Sequence, residues 1–397
     1  MSNDALRFAI LAVFQIPTAL SLLVLAFRRV LHFVFFRTSS LSTPHIDKLI
    51  ANHRREALHA FLLFCLALVL GVISIGIGPV YIDPLTVLNV VLQHVTDAAP
   101  GPDFSWAFDS IVWTSRAPRI VMAFAVGATL AVCGTAIQSM VRNPLADPFV
   151  LGISSGASTG AAFAITVLGT TASSALTLSG FAFVGALFAM MLVLVIGGRS
   201  GGNDPLRLIM VGIAIGYALN AATGFLIFAS DSPEASRSVM FWMMGSLANT
   251  HWEMALASIL VAIATIFLLG IAARHLDAMA SGDDTALAIG IKPERVRLYV
   301  MIIVSLSVGV MVAGSGIIGF VGLVSPHIGR MLIGSRHRIL IPASAGIGVV
   351  FLVIADIGAR TLFPPQELAI GVVTGVTGAP FLIFLLSRMR RRFSATS

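Results

Sequence analysis

Apolar stretches free of charge follow one another along almost the whole chain. They cover residues 8–27, 57–82, 120–141, 148–198, 208–230, 254–273, 298–329, 339–355 and 368–387. A bilayer crossing takes about 20 apolar residues, so most of these stretches read as one span each. Residues 148–198 are too long for one crossing, and the small polar cluster at 170–174 divides them. Residues 298–329 are also long, and Gly314-Ser315-Gly316 offers a tight turn between two shorter helices. The pattern therefore predicts eleven spans. Lipid gives backbone groups no hydrogen-bond partners, so spans are helices or closed barrels. These runs lack the alternation of a barrel. The predicted fold class is an all-α polytopic membrane protein.

Composition closes off other classes. Of the 397 residues, 57% are hydrophobic and 11% charged, where a soluble domain carries about a quarter. Mean hydropathy is +0.96. A soluble enzyme, a disordered chain and a disulfide-rich module are excluded. Cys65 and Cys133 both sit in apolar runs, so no disulfide framework or cysteine metal site is readable. The net charge of +7 fits cytoplasmic loops better than nucleic-acid binding.

Lys and Arg set the orientation. With Arg388, Arg390, Arg391 and Arg392 placed in the cytoplasm and the spans alternating backward, 20 of the 25 basic residues fall inside. The five left outside are Arg7, Arg116, Arg119, Arg237 and Arg360. Residues 81–110, also outside, carry Asp83, Asp97, Asp103 and Asp109 and no basic residue. The N-terminus then lies outside and the C-terminus in the cytoplasm. A cleaved signal peptide is the rival reading of residues 8–27. That run is long for a signal, and its basic residues follow it instead of preceding it. A retained extra helix is expected.

Catalytic signals are poor. Gly152-Ile153-Ser154-Ser155-Gly156 has G-x-S-x-G spacing, but a nucleophile elbow needs a strand-to-helix turn with an acid and a histidine nearby. Close helix packing through small residues is the better account, and G-x-x-x-G recurs at 156–160, 212–216 and 371–375. No G-x-x-x-x-G-K-[ST] phosphate loop occurs. The nine histidines form no metal-binding spacing. No catalytic or metal residue is assigned. Asp356 is the main acid within a span. It suggests either a proton-relay carboxylate or an i,i+4 ion pair with Arg360, and the pair is preferred.

Two polar features stand out. Arg116 and Arg119 share a helix face on the side where few basic residues belong. They either snorkel to headgroups or dock an acidic partner. The second feature is residues 277–297, with Asp277, Asp283, Asp284 and Glu294 among basic residues. Residues 284–291 read as a short helix closed by Gly290 and Pro293, either a packing element or a lever for a soluble partner.

Several longer motifs now coincide. They are R-A-P-R (116–119), G-A-T-L-A-V-C-G-T-A-I-Q (127–138) and R-N-P-L-A-D-P-F-V-L-G-I-S-S-G-A (142–157). Then come F-W-M-M-G-S-L (241–247), G-F-V-G-L-V-S-P-H-I-G-R (319–330), A-D-I-G-A-R (355–360) and E-L-A-I-G-V-V-T-G-V-T-G-A-P-F (367–381). From about Ala57 to Met389 the chain resembles the FecCD-type permeases, the membrane subunits of ABC importers for iron-siderophores, haem and vitamin B12.

The resemblance implies a ten-helix permease at 57–397, with a cytoplasmic coupling loop at 274–297. Residues 1–56, an extra helix and linker, fall outside the family plan. It implies a second permease copy, two ATP-binding cassette ATPase subunits and a substrate-binding protein, in a bacterial cytoplasmic membrane. No cofactor binds directly; ATP and magnesium belong to the ATPase. Arg116, Arg119 and Arg360 match arginines that dock the binding protein. Asn143 and Leu145 match the cytoplasmic gate, and Asn203, Asp204, Pro205 and Leu206 match its second segment. Asp283, Asp284, Leu287, Ile289 and Gly290 match the ATPase-coupling helices. An ion-coupled secondary transporter and a membrane-embedded enzyme are the rival functions. The first needs intramembrane acids or broken-helix ion sites, and the second an acid, base and nucleophile set.

Overall fold

The computed structural model describes residues 45–96, 105–169, 175–198 and 205–393. The first predicted span at 8–27, the dividing cluster 170–174, and Asn203 and Asp204 lie outside them.

The described residues form fourteen helices. They are α1 His45–Gly76, α2 Pro84–Thr96, α3 Trp106–Val141, α4 Ile153–Thr166, α5 Ala175–Gly198, α6 Pro205–Phe228 and α7 Pro233–Met243. They continue with α8 Trp252–Ile271, α9 Ala273–Ser281, α10 Asp283–Ala288, α11 Pro293–Ser315, α12 Val321–Ile333, α13 His337–Thr361 and α14 Ile370–Phe393. Six of them, α3, α5, α6, α8, α11 and α13, hold segments long and apolar enough to cross a membrane. Shorter apolar segments lie at Leu62–Gly76, Val321–Ile333 and Ile370–Leu385. With α4, these occupy the ten stretches predicted after the first.

Local sequence explains the boundaries. Pro293 stands at the start of α11, where its missing N–H costs nothing. The helix stops where Gly316 takes a φ of 67°, which a glycine adopts freely. The predicted break between α11 and α12 is therefore present, and so is the one between α4 and α5. Residues 120–141, expected to start a helix, prove to be the second part of a longer one. A π-helical segment, Ser110–Arg116, carries α3 past Pro118, which cannot donate to the ladder. Helices α2 and α7 were not anticipated.

Close approach sets the packing. A side-chain carbon on Gly127 would lie 2.6 Å from the Gly348 carbonyl oxygen, and one on Gly348 would lie 2.2 Å from that of Gly127. Gly156 and Gly185 exclude each other in the same way, at 2.3 and 2.2 Å. These crossings join α3 to α13 and α4 to α5, backbone against backbone, as small residues allow. The G-x-S-x-G glycines are thus packing residues, and Ser154 opens a helix that follows a 3-10 turn, Pro148–Leu151.

Helices α3 and α13 run antiparallel. Arg119 lies beside Asp356, and Ser139 beside His337. The bundle therefore has two distinct ends. One, here the basic end, carries Arg142, Arg297, Arg330 and Arg336. The other carries Arg116, Arg119, Arg360 and Glu367.

Candidate functional site

The opposite end is built around the close of α1. That helix has no basic residue in its last turn, and its final carbonyls need donors. Two arginines from other helices supply them. Arg116 donates to the carbonyls of Ile75 at 2.7 Å, Gly76 at 3.3 Å and Val80 at 2.6 Å. Arg360 donates to Ile77 O at 2.9 Å, Ser74 O at 3.1 Å and Ser74 Oγ at 2.7 Å. Positive charge at this terminus also suits the helix dipole.

Arg119 joins the same cluster through acids. Its Nε donates to Asp356 Oδ1 at 2.8 Å, and its Nη1 to Glu367 Oε2 at 2.7 Å. The expected i,i+4 pair is present, with Arg360 Nε 3.0 Å from Asp356 Oδ2. Neither of those two atoms has an aligned hydrogen bond, so charge holds that contact. Arg116, Arg119 and Arg360 are 6%, 6% and 2% exposed, and Asp356 is fully buried. The structure brings the three arginines into one cluster, whereas the sequence presents them as free outer charges. Burial corrects that picture, and with it the snorkelling alternative. Glu367 is the accessible member.

The basic end holds the two loop segments singled out from sequence. Helix α3 ends at Arg142, whose φ of 56° turns the chain. The turn that follows braces itself. The Asn143 N–H donates to Gln138 O at 3.1 Å, its Oδ1 accepts from Leu145 N–H at 2.9 Å, and Asp147 Oδ1 accepts from Phe149 N–H at 2.8 Å. Burial pushes the Asp147 carboxyl up to about 6, against the lowering effect of that last bond. Asn143 is exposed and Leu145 half-buried. Pro205 opens α6 and Leu206 is exposed, so only part of the segment expected at the second gate is described.

The loop between α8 and α11 is a braced platform. Helices α9 and α10 meet at Gly282, whose φ is 118°. Both carboxylate oxygens of Asp283, at the start of α10, accept from the single Arg297 Nη2, at 2.7 and 2.6 Å. Asp283 therefore faces inward, while Asp284 and Gly290 are exposed. Leu287 and Ile289 are 57% and 63% exposed. The short helix expected at 284–291 is present at 283–288, starting one residue earlier and ending three sooner, with Gly290 at a φ of 81° in the turn that follows.

Sequence reasoning missed several residues of this end. Gln138 Oε1 accepts from Arg330 Nη1 at 2.7 Å. Asp277 accepts from His337, 60 residues away. No spacing rule links positions so far apart.

These features define a multi-pass helical membrane protein with a braced, apolar-tipped loop at its basic end, the plan of a transporter's membrane subunit. The chain belongs to the FecCD transport family, matched over residues 66–388. It is 36% identical to the Fe(3+)-citrate import system permease protein YfmE of Bacillus subtilis, over 87% of this chain and 100% of that one. It is 37% identical to the hemin transport system permease protein HmuU of Yersinia pestis, over 71% and 85% of the two chains. It is 35% identical to the vitamin B12 import system permease protein BtuC of Vibrio cholerae, over 83% and 93%. A solved structure described as an ABC transporter of metal-chelate type in an inward-facing conformation superposes with a TM-score of 0.71. That match is 29% identical and covers 83% of this chain and 98% of the other.

Proposed function

We propose that this chain is the permease subunit of an ATP-driven importer that moves a bulky iron chelate, haem or cobalamin across a bacterial cytoplasmic membrane. Its basic end faces the cytoplasm, as the distribution of Lys and Arg favours, and the C-terminus lies there. Two ATPase subunits bind that end and two permease copies pair around the pathway. The pathway opens alternately to each side, with Asn143, Leu145 and residues 203–206 at the inner gate. The permease carries out no covalent step, and its ATPase partner holds ATP and magnesium.

The observation that carries this reading is the platform at 273–297. No described residue covers the apolar pair Leu287 and Ile289 at the tip of this loop. An ATPase cleft would cover it, while Arg297 keeps α10 from yielding under load. At the opposite end, three guanidinium groups face two carboxylates, Asp356 and Glu367. That balance favours an acidic binding protein over a neutral one. An ion-coupled carrier is not favoured, because Asp356 is committed between Arg119 and Arg360. Replacing Leu287 and Ile289 together with Asp tests the proposal. The permease should still insert, and ATP-driven uptake should be lost. Undiminished uptake by an intact complex would refute the role of the platform.

A further inference from the structure

The basic end contains a polar chain that the proposed function leaves unused, running from Asp277, whose side chain is 42% exposed, to two buried partners. Its three members come from three helices: Asp277 from α9, His337 from the start of α13, and Ser139 from the last turns of α3. Asp277 Oδ1 accepts from the His337 backbone N–H at 3.0 Å and lies 2.6 Å from the ring Nδ1. The ring Nε2 meets Ser139 Oγ. His337 and Ser139 are 2% and 5% exposed.

The order carboxylate, imidazole, hydroxyl is that of a hydrolytic triad. A nucleophile must be reachable and must have an oxyanion site beside it. Ser139 is buried within a continuous helix, and the backbone N–H groups around it are engaged in that helix's ladder. The same Ser139 Oγ also lies 2.9 Å from Thr135 O, a second acceptor for its one proton. The chain of bonds is therefore mechanical in purpose.

Its chemistry makes it a durable link. With Nδ1–H given to Asp277, neutral imidazole accepts the Ser139 proton at Nε2. Imidazolium donates at both nitrogens, and the hydroxyl then turns to Thr135 O. Both forms keep three helices joined. Burial disfavours the Asp277 carboxylate, but bonds from the His337 ring and backbone, with the charge of Arg336, hold it below the usual carboxylate range.

Placement supplies the role. Asp277 lies one helical turn before Gly282, the joint from which α10 carries Leu287 and Ile289. Ser139 lies three residues before Arg142, where α3 gives way to the Asn143–Leu145 turn. A side-chain carbon on Gly282 would come 3.6 Å from the Arg142 guanidinium, so joint and helix end are adjacent. Neighbouring Gln138 ties the same turn to α12 through Arg330. Apolar contacts between these helices could slide; a short bridge with a directed bond at each end cannot.

We propose that His337 is a positioning residue which transmits displacement of the α9–α10 platform to the end of α3, and so to the Asn143–Leu145 gate. This rests on the reading of the chain as an ATP-driven permease. The test uses the full chain with its ATPase subunits and binding protein in proteoliposomes, and compares cargo imported per ATP hydrolysed. A second readout is thiol labelling of Leu145→Cys, in a Cys65→Ser background, with and without ATP. Ser139→Ala should leave assembly and basal ATP hydrolysis unchanged, lower cargo per ATP about five-fold or more, and flatten the ATP dependence of labelling. Asp277→Asn combined with Ser139→Ala should be no worse than the more severe single variant, since both cut one link. His337→Gln, which keeps a polar group near the Ser139 side, should retain more coupling than His337→Ala. Wild-type ratios and labelling in Ser139→Ala and in His337→Ala would overturn the proposal, and so would losses that add independently. Wild-type complex with neither ATP-dependent uptake nor ATP-dependent labelling would overturn the permease reading itself, and this inference with it.

Discussion

Asp356 offers the sharpest energetic test of the opposite end. Its carboxylate is fully buried and lies 2.8 Å from Arg119 Nε and 3.0 Å from Arg360 Nε. Those two side chains are themselves only 7% and 3% exposed. Asp356→Ala would leave two guanidinium groups in a low-dielectric site with their shared acid gone. Breaking a buried pair in this way costs about 3–5 kcal/mol. Glu367 reaches the same Arg119 at 2.7 Å, but its side chain is 35% exposed. Removing it should cost only about 0.2–1 kcal/mol, the range of exposed pairs. At about 1 °C per kcal/mol for a chain of this length, Asp356→Ala should lower the unfolding midpoint of the detergent-solubilised permease by roughly 3 °C or more. Glu367→Ala should lower it by about 1 °C at most. Equal shifts for the two variants would refute the structural role of Asp356. Lost transport with unchanged stability would instead mark it as a proton-carrying acid.

Other outcomes follow from single contacts. Arg297→Ala should free α10 and lower coupled uptake without preventing membrane insertion, read as cargo imported per ATP. Gly185→Leu should abolish the α4–α5 crossing, because its first side-chain carbon already falls 2.2 Å from the Gly156 carbonyl oxygen, and should be seen as loss of folded permease by size-exclusion chromatography. Glu367→Gln leaves the arginines' backbone bonds intact and removes one competing negative charge. It should tighten binding of an acidic substrate-binding protein, most clearly at low salt, and an unchanged Kd would dismiss docking by charge at this end. Asp147→Asn bears on pH. The folded carboxyl titrates near 6 because burial raises it, above the ordinary value of about 3.9. Between those values the folded state holds the extra proton, so wild-type stability falls as pH rises and then levels off. The Asn variant should be the more stable of the two at pH 8, and the difference should shrink as pH falls below about 6 and vanish only below about pH 3, under both pKa values.

Much of the fold was legible because it rests on local rules. The break at Gly314-Ser315-Gly316 follows from glycine's freedom, and the short α10 follows from Gly290 and Pro293. Charge-free length located the spans. Helices α2 and α7 were not legible, because both lie where charge counting sees only a loop between spans. The start of α3 was hidden by Arg116 and Arg119, which end the charge-free run at residue 120 although the helix runs on through them from Trp106. Site residues split in the same way. Charge asymmetry left Arg116, Arg119 and Arg360 among five outer arginines, and the resemblance chose these three; the asymmetry itself reports a side of the membrane, not a partner. Asp356 and Glu367 lie 237 and 248 positions from Arg119, and the carbonyls that Arg116 and Arg360 serve belong to the end of α1 and the turn after it. Only packing reveals that these arginines cap a helix. Asp283 was read as a face for a partner, yet its carboxylate is taken by Arg297, which leaves Leu287 and Ile289 as the exposed tip.

The central claim is that ATP on a partner subunit, not an ion gradient, drives cargo through this chain. The direct measurement is uptake of a ferric siderophore, haem or cobalamin into proteoliposomes holding the permease and its ATPase subunits, with binding protein on the outside and no ion gradient. With ATP enclosed, one of these cargoes should accumulate, and omission of ATP or of the ATPase should stop it. Accumulation that needs a proton or sodium gradient and proceeds without ATP would contradict the account.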